Sequence, residues 1–167
     1  MPIRGLNHAV LYVRDAERSA RFYTDVLGFT RLHTLPGAVF LLAPGSTNDH
    51  DLGLFGVGDD AVESAAGRGA VGLYHLSWEV ETLGDLAEYR DRLTRAGALV
   101  GASDHGTTKA LYAKDPDGLE FEVSWILPHH LVTADDTMRT APLNLEAEIA
   151  RYGADTAGRA RGDVVPG

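Results

Sequence analysis

The stretch Leu6-Asn7-His8-Ala9-Val10-Leu11-Tyr12-Val13 returns 67 positions later as Leu73-Tyr74-His75-Leu76-Ser77-Trp78-Glu79-Val80, with His75 answering His8. Each copy is followed by an amphipathic stretch ending at a glycine, Gly28 or Gly97, and then by short apolar runs separated by turn residues. Self-similarity at a fixed spacing marks a duplicated supersecondary unit. Two histidines at equivalent points of paired units are placed to meet near a pseudo-twofold axis. Glu122, near the end of the second unit, adds a third potential ligand. The combination points to a metal site.

The rest of the chain bounds the classes open to it. A length of 167 residues fits one domain, able to bury roughly 70% of its unfolded surface without staples. The absence of cysteine excludes disulfides, thiolate metal sites and a cysteine nucleophile. A net charge of −9 disfavours nucleic acid and anionic membrane as partners, because both reward basic patches. Met1-Pro2-Ile3-Arg4-Gly5 runs straight into a strand without the apolar core of a signal peptide. Ala38 to Ala43, the longest apolar run, is far too short to cross a membrane. A cytoplasmic protein is the expectation.

Residues 5–13 alternate and are rich in Val, Leu and Tyr, which predicts a strand. Asp15 can cap a helix carrying Ala16, Ala20, Tyr23, Val26 and Leu27, closed by Gly28. Leu35-Pro36-Gly37 reads as a turn, Ala38–Ala43 and Leu52–Val57 as strands, and 58–70 as a linker. The second half repeats the order. Gly72–Val80 is a strand, and Leu86, Tyr89 and Leu93 share one face of a helix ending at Gly97. Ala98–Gly101, Lys109–Ala113 and Leu119–Trp125 are strands, the last two joined by the turn Asp115-Pro116-Asp117-Gly118. Each half therefore reads βαβββ. The expected class is α+β, with tandem modules at about 1–57 and 71–127 inside a domain of residues 1–130. Residues 131–167 form a C-terminal extension: a helix over 142–152, packed on the domain surface or on a second subunit, and a frayed tail over 153–167.

His8, His75 and Glu122 are expected on three strands. Two neutral imidazoles and one carboxylate suit a divalent first-row metal and leave one face of it open. A strand histidine taken alone is more often an ordinary core or surface residue; here the repeat changes the weight. Glu120 and Glu122 share a strand face, so periodicity does not choose between them.

With Asp115-Pro116-Asp117-Gly118-Leu119-Glu120-Phe121-Glu122 as its most specific motif, the chain over residues 5–126 resembles the vicinal oxygen chelate superfamily. That superfamily includes glyoxalase I, the bleomycin and fosfomycin resistance proteins, methylmalonyl-CoA epimerase and the extradiol dioxygenases. The resemblance implies two βαβββ modules curled into an open, partly closed barrel around a metal. It also implies that the carboxylate ligand follows the turn glycine by four residues, which selects Glu122. Glyoxalase I and the epimerase use a fourth ligand on the last strand of the first module. The repeat offset carries Glu122 back to Phe55, and a slip of one pleat carries it to Gly53. Neither can bind a metal, which favours a dioxygenase over an isomerase or lyase.

Asp104-His105-Gly106-Thr107-Thr108-Lys109-Ala110-Leu111-Tyr112 resembles the stretch of catechol-cleaving extradiol dioxygenases that carries an active-site histidine and tyrosine. Tyr112 stands ten residues before Glu122, as the family tyrosine does before its glutamate, and His105 is matched across a short gap. A histidine beside an open metal site can take up and return a proton, and a tyrosine hydroxyl can hold a substrate oxygen. The family's ring-cleaving members carry an additional non-metal domain, and this chain resembles the catalytic domain alone.

The resemblance thus implies an Fe(II)-dependent extradiol dioxygenase, with Mn(II) or another divalent metal as the alternative. Its partners would be an aromatic vicinal diol, dioxygen and a second copy of the chain in a homodimer. A glyoxalase-like lyase or isomerase is the second reading and would need a fourth ligand. A metal-free drug- or metabolite-binding protein is the third, and it leaves the His–His–Glu set without a purpose. Lys109 reads as a solvated strand lysine or as one reaching an anionic substrate group, His50-Asp51 as turn residues or part of a cavity mouth, and His129 and His130 as exposed. His33 carries no role.

Overall fold

The computed structural model describes residues 2, 3, 5–67 and 69–160. The chain divides into two units: residues 1–65 with 115–119, and residues 66–114 with 120–167. Each is built as a sheet with a helix packed on it.

The first unit contains β1 (Ala9–Val13), α1 (Ala16–Leu27), β2 (Thr30–Leu35), β3 (Ala38–Leu42) and β4 (Leu52–Gly56). The sheet order is β1-β4-β3-β2, with β1 parallel to β4 and the other pairs antiparallel. Asp15 caps α1 as expected, one carboxylate oxygen accepting from Glu17 N at 2.8 Å and Arg18 N at 3.1 Å. Gly28, at φ 76°, ends the helix in the left-handed region. Tyr23 and Leu27 on the buried face of α1, with Val13, Leu41, Leu52 and Leu54 of the sheet, form the core of this unit. Each fully buried leucine contributes about 2 kcal/mol.

Several strand bounds shift: in the second half the strand expected over 72–80 is only Leu76–Glu79, and the one expected over 98–101 runs Leu99–Asp104. The first strand starts at Ala9 rather than residue 5. β2 claims Leu35, which the sequence puts in a turn. Nearly all of β2 is exposed, so its run Thr-Arg-Leu-His-Thr-Leu carries no apolar alternation to reveal it.

The second unit contains β5 (Leu76–Glu79), α2 (Leu83–Arg95), β6 (Leu99–Asp104), β7 (Thr108–Lys114), β8 (Glu120–Ile126), β9 (Ala141–Pro142) and α3 (Leu145–Tyr152). The order is β5-β8-β7-β6-β9, again with a parallel pair, β5 and β8, at one edge. Thr82 and Asp85 make a reciprocal capping box on α2. Leu83, Leu86 and Leu93 of α2 are buried, as are Leu111, Trp125 and Leu127. Neither sheet closes on itself: β1 and β2 are the edges of one, β5 and β9 of the other.

In the C-terminal extension the expected helix forms and packs on the surface of the second unit, while the stretch after it differs from expectation. α3 lies against α2, with Arg90 Nη1 on Glu146 at 2.5 Å. Residues 153–159 are not frayed. Leu83 N and Gly84 N donate to Thr156 O and Ala154 O, Gly158 N donates to Glu81 O, and Arg159 N donates to Ile126 O. Backbone pairing, not side-chain burial, holds this stretch, so composition gave no hint of it. The expectation for 161–167 lies outside the described residues. No helix among the described residues is long and apolar enough to cross a membrane.

Candidate functional site

The two repeat histidines occupy one backbone position. His8 immediately precedes β1 and His75 immediately precedes β5, so neither is on a strand as expected; the ladders begin at Ala9↔Leu52 and Leu76↔Phe121. Glu122 is on β8, opposite Ser77 of β5 on one side and Tyr112 of β7 on the other. The ten-residue spacing from Tyr112 to Glu122 is therefore the register of the β7–β8 hairpin. Its turn is fixed by Asp115 Oδ1, which accepts from Asp117 N and Leu119 N at 2.9 Å each, and by Gly118 at φ 80°.

The register also settles the first-unit counterpart of Glu122. Val10 stands to the repeat as Ser77 does, and Val10 pairs with Gly53. Gly53 in turn pairs with Phe40, as Glu122 pairs with Tyr112. The corresponding position is Gly53, not Phe55, and it offers no donor.

Within the second unit, four of the expected side chains are brought together. His75 Nε2 lies 3.1 Å from Glu122 Oε2, and Glu122 is only 8% exposed. Tyr112 stands opposite Glu122 in the ladder, and its ring lies 5.7 Å from that of His75. His105, in the loop after β6, places Nε2 at 2.9 Å from the Tyr112 hydroxyl. Burial, reinforced by the Glu122 charge, raises the Tyr112 hydroxyl above its ordinary pKa, so it stays a donor. His8 belongs to the first unit. There it is exposed, its Nδ1 donates to Asn7 Oδ1 at 2.7 Å, and its ring lies 4.3 Å from that of His50.

Among the described residues no group of three or more His, Cys, Asp or Glu side chains is disposed to hold a metal ion. The His75–Glu122 pair nonetheless fits one. Two donors about 3 Å apart have the spacing of neighbouring ligands on an ion with bonds of about 2.1 Å. The other nitrogen of the ring, Nδ1, is buried with no hydrogen-bond partner. A cation shared by Nε2 and Glu122 would not reach Nδ1, so the fit rests on the donor pair itself.

The remaining candidates resolve differently. Lys109 is not a solvated lysine: it is fully buried, its ammonium 2.7 Å from Asp104 Oδ1 and 3.0 Å from Glu148 Oε2. A carboxylate from α3, far along the chain, makes that burial tolerable. Asp51 is a turn residue, accepting from Ala43 N, Ser46 Oγ and Asn48 Nδ2 at 2.7–2.9 Å. His50 packs between the rings of His8 and Phe40, an adjacency that sequence reasoning missed. His130 and His33 are exposed, whereas His129 is half-buried rather than exposed. The short turn His129–Leu131 after Pro128 draws it in. Arg139, which bonds Asp104 beside His105, was also missed, and no motif marks it.

A duplicated βαβββ unit with its histidines at matched positions corresponds to a known family. The model of the Glyoxalase/Bleomycin resistance protein/Dioxygenase superfamily matches residues 5–123. The chain belongs to this superfamily. Among curated relatives, a catechol-2,3-dioxygenase of Bacillus subtilis is 32% identical over 118 residues, which are 71% of this chain and 40% of that protein. A biphenyl-2,3-diol 1,2-dioxygenase 3 of Rhodococcus globerulus is 32% identical over 114 residues, 68% of this chain and 58% of that one. The chain thus spans about half the length of these relatives. Among solved structures, a glyoxylase/bleomycin resistance protein/dioxygenase domain from Frankia sp. EAN1pec superposes with a TM-score of 0.63 at 26% identity, covering 78% of this chain and 98% of that one. A lactoylglutathione lyase from Agrobacterium tumefaciens gives 0.56 at 24% identity, covering 74% and 95%, a likeness of fold alone.

Proposed function

We propose that this superfamily member is an extradiol dioxygenase, which inserts both atoms of dioxygen into a catechol-like vicinal diol and opens the ring. The observation that carries the reading is the His75–Glu122 pair with Tyr112 opposite Glu122 in the ladder and His105 on the Tyr112 hydroxyl, all within one unit. It joins a ligand-type pair to a phenol and an imidazole able to handle protons. The dioxygenase relatives at 32% identity support the same class.

His75 and Glu122, with His8 as third ligand, would hold Fe(II). When bound, the ion would supply a Lewis-acidic, redox-active centre for a chelating diol and dioxygen. The chain's own groups do the rest. Tyr112, kept protonated, donates a hydrogen bond toward a substrate oxygen beside Glu122 and fixes its orientation. His105 accepts a diol proton at Nε2 and returns it as the ring opens. The Glu122 carboxylate would balance part of the cation's charge. Gly53 leaves the first module without the fourth protein ligand that the lyase and epimerase reading requires.

The test is to load the protein with Fe(II) anaerobically, add a panel of catechols and follow oxygen uptake on exposure to air. Stoichiometric uptake with a ring-opened product, abolished in Glu122→Ala, is the expected result. Tight metal binding without oxygen uptake would move the protein to the non-redox enzymes of the fold, and no metal binding would leave a binding protein.

A further inference from the structure

We infer that Arg139 and the chain around it are positioning elements for His105: they hold its Nδ1–H and thereby leave Nε2 bare toward Tyr112. The inference rests on the reading of His105 as the proton-handling group, and it concerns residues beyond the segment 5–123 that the family model matches.

His105 Nδ1 lies 3.0 Å from the backbone carbonyl oxygen of Arg139. A carbonyl only accepts, so Nδ1 must carry the hydrogen. In the neutral ring Nε2 is then the acceptor, and it faces the Tyr112 hydroxyl at 2.9 Å. One partner of the imidazole thus sets the state of the other nitrogen. The Thr140 hydroxyl, 3.4 Å from Nδ1, is a second and longer contact on the same side, also from the extension.

The carbonyl is held in place through the residue next to His105 itself. Asp104 Oδ2 accepts from Arg139 Nε at 2.9 Å and from Arg139 Nη2, while Arg139 Nη1 donates to Asp135 O at 2.8 Å. The other Asp104 oxygen accepts from buried Lys109 and from Gly106 N at 2.9 Å. Gly106 has φ 82°, and a Cβ there would lie 2.3 Å from Thr137 O and 2.8 Å from Asp136 O. Only glycine admits the extension so close to the His105 loop. Buried Asp136 anchors the near end of the segment, accepting from Thr133 N at 2.9 Å and from the Tyr152 hydroxyl at 3.2 Å. β9 anchors the far end, Ala141 pairing with Asp104. A carbonyl fixed from both sides and clamped to the preceding residue imposes one ring orientation, which generic packing of a tail would not.

The test is an NMR measurement of the His105 ring nitrogens in 15N-labelled, metal-free protein, at a pH where the ring is neutral. The wild type is expected to show the Nδ1–H tautomer. In Arg139→Ala the ratio of Nδ1–H to Nε2–H should fall about tenfold, the scale of one lost hydrogen bond. Arg139→Lys, which keeps a cation for Asp104, should recover part of it. Arg139→Gln serves the same comparison if the alanine variant does not fold, with the amide signals of residues 9–56 as the folding control. An Nε2–H tautomer in the wild type, or an unchanged Nδ1–H tautomer in the folded variants, overturns the inference. The readout needs neither iron nor catechol, so it stands or falls apart from the dioxygenase reading. If that reading also holds, Arg139→Ala lowers kcat and leaves KM nearly unchanged.

Discussion

Gly53 pairs with Val10 across the first sheet as Glu122 pairs with Ser77 across the second, so a glycine stands where the repeat would put a second carboxylate. A Cβ at Gly53 would meet Val10, Phe40 and Phe55 side chains at 3.4–3.5 Å, ordinary contact distance, and the backbone there is not left-handed. The backbone at Gly53 therefore accepts a Cβ, and Gly53→Glu tests what a carboxylate does there. Its carboxylate, placed among apolar groups, should destabilise the metal-free protein by about 2 kcal/mol. On the His8–His75–Glu122 reading proposed above, the added donor should tighten divalent-metal binding and remove a place needed by diol or dioxygen. Calorimetric metal titration should show the higher affinity, and oxygen uptake with catechol should be lost. Unchanged affinity would separate Gly53 from the metal.

Tyr112 and His105 meet through one hydrogen bond, Nε2 to hydroxyl at 2.9 Å, and should act as a unit. Tyr112→Phe keeps the ring packed near His75 and removes only the hydroxyl. On the dioxygenase reading kcat should fall roughly 10²-fold in Tyr112→Phe and in His105→Asn. The double variant should be little worse than the worse single one. Oxygen-electrode kinetics on the four proteins closes the cycle; additive losses would mean that the two act separately.

The repeat was legible because it combines two local signals, an alternating strand and a glycine-ended helix, each written twice. The hairpin turn at Asp115–Gly118 was legible for the same reason: its conformation is dictated by the residues within it. β2 was invisible because its side chains face solvent and leave no apolar period. The choice between Gly53 and Phe55 required the ladder, since a one-pleat slip preserves the sidedness that sequence reports. Lys109 and Arg139 were beyond reach for a different reason. Their partners, Glu148 and Asp104, lie 39 and 35 positions away, and no local rule joins charges at that distance.

Lys109 itself offers a stability test. It is fully buried between Asp104 and Glu148, and Asp104 also holds Arg139. Lys109→Met preserves much of the side-chain volume but strands Glu148 and half of Asp104 in the interior. Removing one partner of a buried ionic set should cost about 3 kcal/mol, read as a drop in the urea midpoint. Lys109→Met combined with Glu148→Leu should recover a large part of that loss, because the uncompensated carboxylate is gone. Equal stability of the single variant and wild type would show that water reaches these groups.

Two aspartates in the Asp115–Gly118 turn should respond to acid with opposite signs. Burial opposes the Asp117 charge, yet hydrogen bonds from Arg14 N at 3.0 Å and from the Arg14 and Arg18 guanidinium groups outweigh it and hold its pKa below the ordinary value. A depressed carboxylate stabilises the fold above about pH 4, and that contribution is lost as pH falls through the folded-state value. Asp115 is raised, chiefly by burial. It favours the fold when protonated, and this contribution fades as pH rises from about 4 through its folded-state value. Asp117→Asn should therefore cost about 2 kcal/mol at pH 7 and make the urea midpoint less sensitive below pH 4. Asp115→Asn keeps an acceptor for Asp117 N and Leu119 N while shedding the buried charge. It should be nearly neutral, or stabilising, at pH 7 and lose that advantage toward pH 4. Urea midpoints of the three proteins from pH 3 to 7 decide the matter: parallel curves would mean that neither carboxylate changes its proton affinity on folding.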